Sequence, residues 1–115
     1  MDNSGVSFVE LFMKKNGLDL QEVVELYILF MEELASEIIE LKSSVKMQDF
    51  IKAQQVAHNL KGICSNYLAM KVYTIAEYID LQLKKGIYED LQYQIQELAE
   101  EFLCFKKEFE EAVIK

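Results

Sequence analysis

The chain of 115 residues is 51% hydrophobic and contains no proline, a composition that favours a packed core and long helices over disorder. Its formal net charge of −8 creates a negative field that disfavours nucleic acid and anionic membrane surfaces as partners. The first residues lack the regions of a secretory signal, and no apolar run approaches the length of a membrane span. We therefore expect one cytoplasmic domain spanning residues 1–115.

The first predicted helix covers about residues 6–15 and ends at Asn16-Gly17, where glycine can take the left-handed cap conformation. The second begins after Asp19, where Glu22 completes a capping box, and ends near residues 43–46. Steps of four and three residues predict one buried face on this second helix. That face consists of Leu20, Val24, Tyr27, Met31, Leu34, Ile38, Leu41 and Val45.

Asp49 is the predicted N-cap of a third helix, and a fourth segment ends at Lys84-Lys85-Gly86, where cations and glycine suit a helix C-terminus. A last helix is predicted over about residues 88–113. The buried faces of these three segments are predicted from the same spacing. They comprise Phe50, Ala53, Ala57, Leu60, Cys64 and Tyr67, then Val72, Ile75, Ile79 and Leu83, then Leu91, Ile95, Leu98, Phe102, Phe105, Phe109 and Ala112.

The sequence does not determine whether the third and fourth segments are separate helices. Their apolar faces run nearly in phase, and only Ser65-Asn66 provides a weak helix breaker. One long helix is therefore possible. Four amphipathic segments with short connections most simply bury their apolar faces as an antiparallel four-helix bundle, with the short additional N-terminal helix closing one end.

A polar patch is predicted around His58, the single histidine of the chain. His58 follows the core position Ala57 by about 100 degrees of helix rotation, which places it toward the solvent face. Offsets of three and four residues bring Gln54, Lys61, Gly62 and Ser65 onto the same surface. A lone surface histidine is most often simply solvated, so the patch needs further support.

Gly62 provides that support, because glycine inside a helix costs roughly 1 kcal/mol relative to alanine. Four residues after His58, it leaves room for a second protein to approach the imidazole. Lys61, three residues after His58, can place its ammonium near a phosphoryl group on the ring. The alternative explanations of Gly62 are a helix kink or close helix packing.

The segment Ala57-His58-Asn59-Leu60-Lys61-Gly62 resembles the A-H-x-L-K-G motif of the histidine-containing phosphotransfer domains of two-component phosphorelays. Ala69 and the segment Ile75-Ala76-Glu77-Tyr78-Ile79-Asp80 resemble the second motif helix of that family. The similarity extends over most of the chain. It implies an antiparallel four-helix bundle with a break near residues 66–70. Where the family usually has a glycine ten positions after the histidine, this chain has Leu68, and Ile63 and Cys64 replace small residues.

The resemblance implies a role for each motif residue. His58 is the expected phosphoryl acceptor, Lys61 its charge partner and Gly62 the residue that provides space. The expected partners are receiver domains of response regulators and hybrid sensor kinases. A further set of residues is expected to bind these partners, with Ile63 as an apolar contact. The set comprises Gln54, Gln55, Ile63, Ser65, Asp80 and Lys84.

Several other kinds of site are not expected. The chain has no glycine-rich phosphate loop, so we predict neither a nucleotide cofactor nor kinase activity of its own. One histidine with two distant cysteines, Cys64 and Cys104, offers too few ligands for a metal site, and both thiols are expected to be free. We expect a monomer. The alternative function is a non-catalytic helical adaptor, or a degenerate phosphotransfer domain, that binds a receiver or another signalling protein without accepting phosphate.

Overall fold

The computed structural model describes residues 7–114, and every regular element in that range is an α-helix. The all-helical fold class is thus confirmed. The helices are α1 (Phe8–Asn16), α2 (Leu20–Lys46), α3 (Phe50–Asn66), α4 (Met70–Lys84) and α5 (Leu91–Ile114). The predicted start of the first helix at Val6 lies outside the described residues. Because α3 and α4 are separate, the break expected from the family resemblance is confirmed and the single long helix is excluded.

The N-termini of the first three helices are capped by side chains. Ser7 with Glu10 and Asp19 with Glu22 form capping boxes, in which the backbone N–H of Glu22 donates to Asp19 Oδ1 at 2.8 Å. The Asp49 carboxylate accepts from the N–H of Lys52 at 3.2 Å. Such caps pair backbone N–H groups that a helix leaves without partners. The predicted starts of α2 and α3 are therefore confirmed.

All four connections between helices close in the same way. A residue with positive φ follows each helix, and the next N–H donates back to a carbonyl five residues earlier, for example Ala69 to Cys64 at 2.9 Å. Gly17 and Gly86 occupy this position as predicted, with φ of 65° and 73°. Leu68 takes it between α3 and α4 with φ of 62°. The turn thus forms without the glycine that the family usually has there.

Gln48 closes α2 with φ of 60° and has an exposed side chain. A left-handed conformation costs a residue with a Cβ roughly 1–2 kcal/mol, and glycine avoids this cost. Part of the gain is lost, because glycine also has greater conformational freedom in the unfolded chain. Gln48→Gly should therefore raise the free energy of unfolding by about 0.5–1 kcal/mol. Urea denaturation measures this change. Gly17→Ala is the control in the other direction, because it adds a Cβ at a left-handed position and should lower the free energy of unfolding. A destabilised Gln48→Gly protein would show that this turn is not strained.

The last helix begins at Leu91, not near residue 88 as predicted. Gly86 leaves α4 in the left-handed region, and the N–H of Ile87 donates to the Gln82 carbonyl at 2.9 Å. The ring of Tyr88 then stacks on that of Phe50, with centroids 3.7 Å apart and an angle of 9°. Since this contact holds Tyr88 in the connection, α5 starts only after it.

The buried side chains of all five helices form a common core. Tyr27 lies at one end of it, where its ring contacts Phe12 of α1 and Phe109 of α5 and its hydroxyl donates to the Tyr67 carbonyl at 2.6 Å. Burial raises the pKa of Tyr27.

The predicted face of α2 is largely buried, but Leu20 is 45% exposed and is not a core residue. Residues that the prediction missed are buried because each of the helices α2 to α5 packs against two of the others, as Val23, Phe30, Val56 and Ala76 illustrate.

Candidate functional site

His58 lies near the middle of α3 with an exposed side chain. Its neighbours Ala57 and Leu60 are fully buried and orient the helix. Since successive residues of a helix are about 100° apart, burying those two side chains turns the imidazole outward. The ring is thus accessible to a second macromolecule.

Gly62 lies one turn after His58 on the same exposed surface. A Cβ built on this glycine meets no heavy atom within 4 Å among the described residues. Close packing against another helix therefore does not explain the glycine. Nor does a left-handed backbone, because Gly62 is not among the glycines with positive φ and α3 continues through it. The absence of a side chain leaves space outside the protein, not inside it.

An open groove of about 600 Å³ borders His58 and Gly62 on the side of α2. Glu33 and Glu37 of α2 form its far side, and their carboxylates make it acidic. The pKa of Glu37 is raised, first by partial burial and then by the charges of Glu33 and Glu40. The groove is lined by Glu33, Glu37, His58, Asn59, Gly62, Ile63, Ser65 and Asn66. Sequence reasoning missed the two glutamates, since only the packing of α2 on α3 brings them to the histidine.

On the other side of α3, Lys61 forms an ion pair with Asp80 of α4. The Lys61 Nζ and the Lys84 Nζ each lie 3.1 Å from the same oxygen, Asp80 Oδ2. The Asp80 side chain is completely buried, and neither carboxylate oxygen has a well-aligned hydrogen-bond donor among the described residues. The two ammonium groups at hydrogen-bonding distance therefore compensate the carboxylate charge. This contact with the Asp80 oxygen is the main cause of a raised pKa of Lys61.

The burial of Asp80 corrects one prediction. Asp80 was expected on the partner-binding surface, but a side chain with no exposed area cannot contact a partner in this conformation. It is buried because α4 turns it toward α3, where Lys61 meets it. Lys61 itself, expected beside His58, directs its ammonium to Asp80. The spacing of residues along α3 predicts that Lys61 neighbours His58. It does not indicate that the Asp80 carboxylate, on another helix, binds the same ammonium group.

The other predicted partner-binding residues are distributed around α3 and α4. Ile63, partly buried, and Ser65, exposed, line the groove beside His58. Gln54 is partly buried and Gln55 is exposed, and both lie outside the groove lining. Lys84 is partly exposed at the end of α4. The structure thus brings Ile63 and Ser65 together with His58, while Lys84 is connected to the site through Asp80.

Both cysteines are free thiols, as predicted. Cys64 is buried in the core, and burial raises its pKa to about 12, whereas Cys104 is exposed. At pH 8 only about one Cys64 in ten thousand is then a thiolate, the form that alkylating reagents attack. Native protein should therefore take up one equivalent of iodoacetamide, at Cys104, and a Cys104→Ser variant almost none until it is denatured. Rapid labelling of Cys64 in the native Cys104→Ser protein would contradict its burial.

Within the part of the chain that the structure describes, no cluster of three or more histidine, cysteine, aspartate or glutamate side chains is arranged to hold a metal ion. In that same part, none of the helices combines the length and the apolar character that crossing a membrane requires.

Comparisons with protein-family models, with curated proteins and with solved structures find no significant match to this chain. A function must therefore be argued from the motif and the geometry of the chain itself.

Proposed function

We propose that the protein is a histidine phosphotransfer protein of a cytoplasmic two-component phosphorelay, built as an antiparallel four-helix bundle with an added N-terminal helix. His58 accepts a phosphoryl group from an aspartyl phosphate of one receiver domain and passes it to the aspartate of another. One observation carries the proposal: the exposed imidazole of His58 adjoins a glycine whose missing side chain leaves space only on the outside. This is the clearance that a docking protein needs.

The transfer requires one nucleophile held in an accessible position. The lone pair of an imidazole nitrogen of His58 attacks phosphorus, the P–O bond to the aspartate breaks, and its electron pair leaves with the carboxylate. The ring proton stays on the other nitrogen. The return step is the reverse reaction with a second receiver. Positioning and charge stabilisation account for most of the catalysis in such transfers, and α3 holds His58 for this through its buried neighbours Ala57 and Leu60.

The charges around His58 favour a protein as phosphoryl donor over a small anion. Glu33 and Glu37 in the groove repel free phosphate. Lys61, which pairs with Asp80 on the opposite side of α3, is the cation that we assign to a phosphoryl group on the ring. A receiver that brings its own divalent metal ion supplies positive charge to the acidic groove. Complementary fields of this kind increase the rate of association and select partners. The protein itself then needs no cofactor.

The decisive experiment uses receiver domains phosphorylated with ³²P as donors. Incubation with the purified protein should transfer label to this chain, and the labelled bond should be acid-labile and base-stable, as a phosphohistidine is. Addition of a second, unphosphorylated receiver should then remove the label. Receivers that bind without transferring label would instead support the non-catalytic adaptor. Testing receivers from the same genome ranks the partners.

A further inference from the structure

The buried carboxylate of Asp80 is the least expected charge in the molecule. It has no exposed area, and its counter-ions come from two helices, Lys61 of α3 and Lys84 of α4. Lys61 is 20% exposed and Lys84 is 46% exposed. A buried carboxylate without a counter-ion is strongly unfavourable, because it has lost its hydration and gained nothing in exchange. Keeping at least one of the two lysines beside the Asp80 carboxylate avoids this cost.

The proposed function gives Lys61 a second task. A phosphoryl group on His58 carries a charge of about −1.5 to −2, and Lys61 lies one turn away on the same helix. Its ammonium is already held 3.1 Å from Asp80 Oδ2. Phosphorylation thus adds a second anion, and the phosphoryl group and the Asp80 carboxylate compete for Lys61. Without a substitute, moving Lys61 to the phosphoryl group would leave Asp80 buried and unpaired.

We propose that Lys84 is the reserve counter-ion of Asp80, a positioning residue that releases Lys61 to the phosphoryl group on His58. The inference rests on the proposed function. Lys84 suits this task because it is four residues after Asp80 on α4, so their pairing does not depend on any movement at α3. Before phosphorylation both lysines contact Asp80. Afterwards Lys84 alone neutralises the carboxylate, and Lys61 neutralises the phosphoryl oxygens.

This role predicts a coupling between Lys84 and Asp80 that a direct contact with phosphate does not. In Lys84→Met, the buried carboxylate retains Lys61 and the phosphoryl group loses its cation. In the double variant Asp80→Asn, Lys84→Met, no buried carboxylate competes, so Lys61 is free again. If Lys84 bound the phosphoryl group directly, its loss would slow phosphorylation equally in Lys84→Met and in the double variant.

The test uses phosphoramidate as a small donor, so that no partner surface is involved. Its P–N bond breaks, ammonia leaves, and phosphorus bonds to an imidazole nitrogen of His58. The rate of phosphorylation is followed by intact-protein mass spectrometry and ³¹P NMR. We expect Lys84→Met to be about tenfold slower than the wild type. Lys84→Arg, Asp80→Asn and the double variant should stay within about threefold of the wild type. Lys85→Met, a change at the adjacent exposed lysine, is the matched control.

Three outcomes are distinguishable once circular dichroism shows that each variant is folded. Slowing in Lys84→Met that is relieved by Asp80→Asn supports the inference. A wild-type rate in Lys84→Met, or slowing that persists in the double variant, overturns it while leaving the proposed function intact. If phosphoramidate does not label the wild type, the same variants are compared with a phosphorylated receiver as donor, and absence of label on His58 from that donor as well overturns both. If the Asp80→Asn proteins do not fold, Asp80→Leu, which also removes the buried charge, replaces Asp80→Asn in the same comparison.

Discussion

Replacement of His58 by glutamine should abolish phosphoryl transfer from a phosphorylated receiver and change the free energy of unfolding by less than about 0.5 kcal/mol. The amide of glutamine has a size similar to imidazole but offers no nucleophilic nitrogen. Because the side chain is exposed and the helix tolerates either residue, folding is not affected. Transfer of ³²P followed by gel electrophoresis measures the first effect, and urea denaturation measures the second.

The control for this variant is Glu97→Gln, a change on the exposed surface of α5, a helix that does not pack against α3. It should transfer at the wild-type rate. Since His58 is the single histidine of the chain, acid-labile label on the His58→Gln protein would have to reside on another residue type. That result would refute the assignment of His58 as acceptor. Unchanged receiver binding together with lost transfer would separate docking from chemistry.

Substitutions of Gly62 should change stability and transfer in opposite directions. Gly62→Ala should raise the free energy of unfolding by up to about 1 kcal/mol, because alanine favours the helix and its Cβ meets no neighbour within 4 Å. Gly62→Gln places a longer side chain in the space beside His58. We expect this variant to be folded yet to transfer phosphate about 100-fold more slowly, since a displacement of about 1 Å at the reacting atoms has an effect of that size.

Ser43→Ala is the matched control, because it is also a helix-favouring change at an exposed position but lies on α2 outside the groove lining. It should be slightly stabilised and transfer normally. Stopped-flow or quench kinetics with one receiver, combined with urea denaturation, measure both properties. Wild-type transfer by Gly62→Gln would mean that the glycine is not needed for clearance. A lower free energy of unfolding in Gly62→Ala would mean that a packing constraint inside the protein, and not clearance for a partner, explains the glycine at this position.

The acidic groove and the ion pairs of Asp80 with Lys61 and Lys84 show why the sequence predicted the candidate site only in part. The motif around His58 lies within six residues of one helix, so spacing alone places the histidine, the lysine and the glycine on neighbouring positions. Glu33 and Glu37 are more than twenty positions away in α2, and no local pattern connects them to His58. The apolar spacing of α4 likewise omitted Asp80, which is buried between core residues Ala76 and Leu83. Its counter-ions become visible only when α3 and α4 are packed.

Local chemistry is enough to locate most helix ends of this protein and the exposed face of α3. Asp19 with Glu22, Asp49, Gly17 and Gly86 mark ends because caps and left-handed glycines act on backbone groups a few residues away. Packing decides the rest. It sets a leucine and a glutamine in left-handed turns, holds Tyr88 out of α5 by stacking on Phe50, and confines a carboxylate between two lysines. Such features depend on the free energy of contacts between residues distant in sequence, which periodicity along a single helix does not encode.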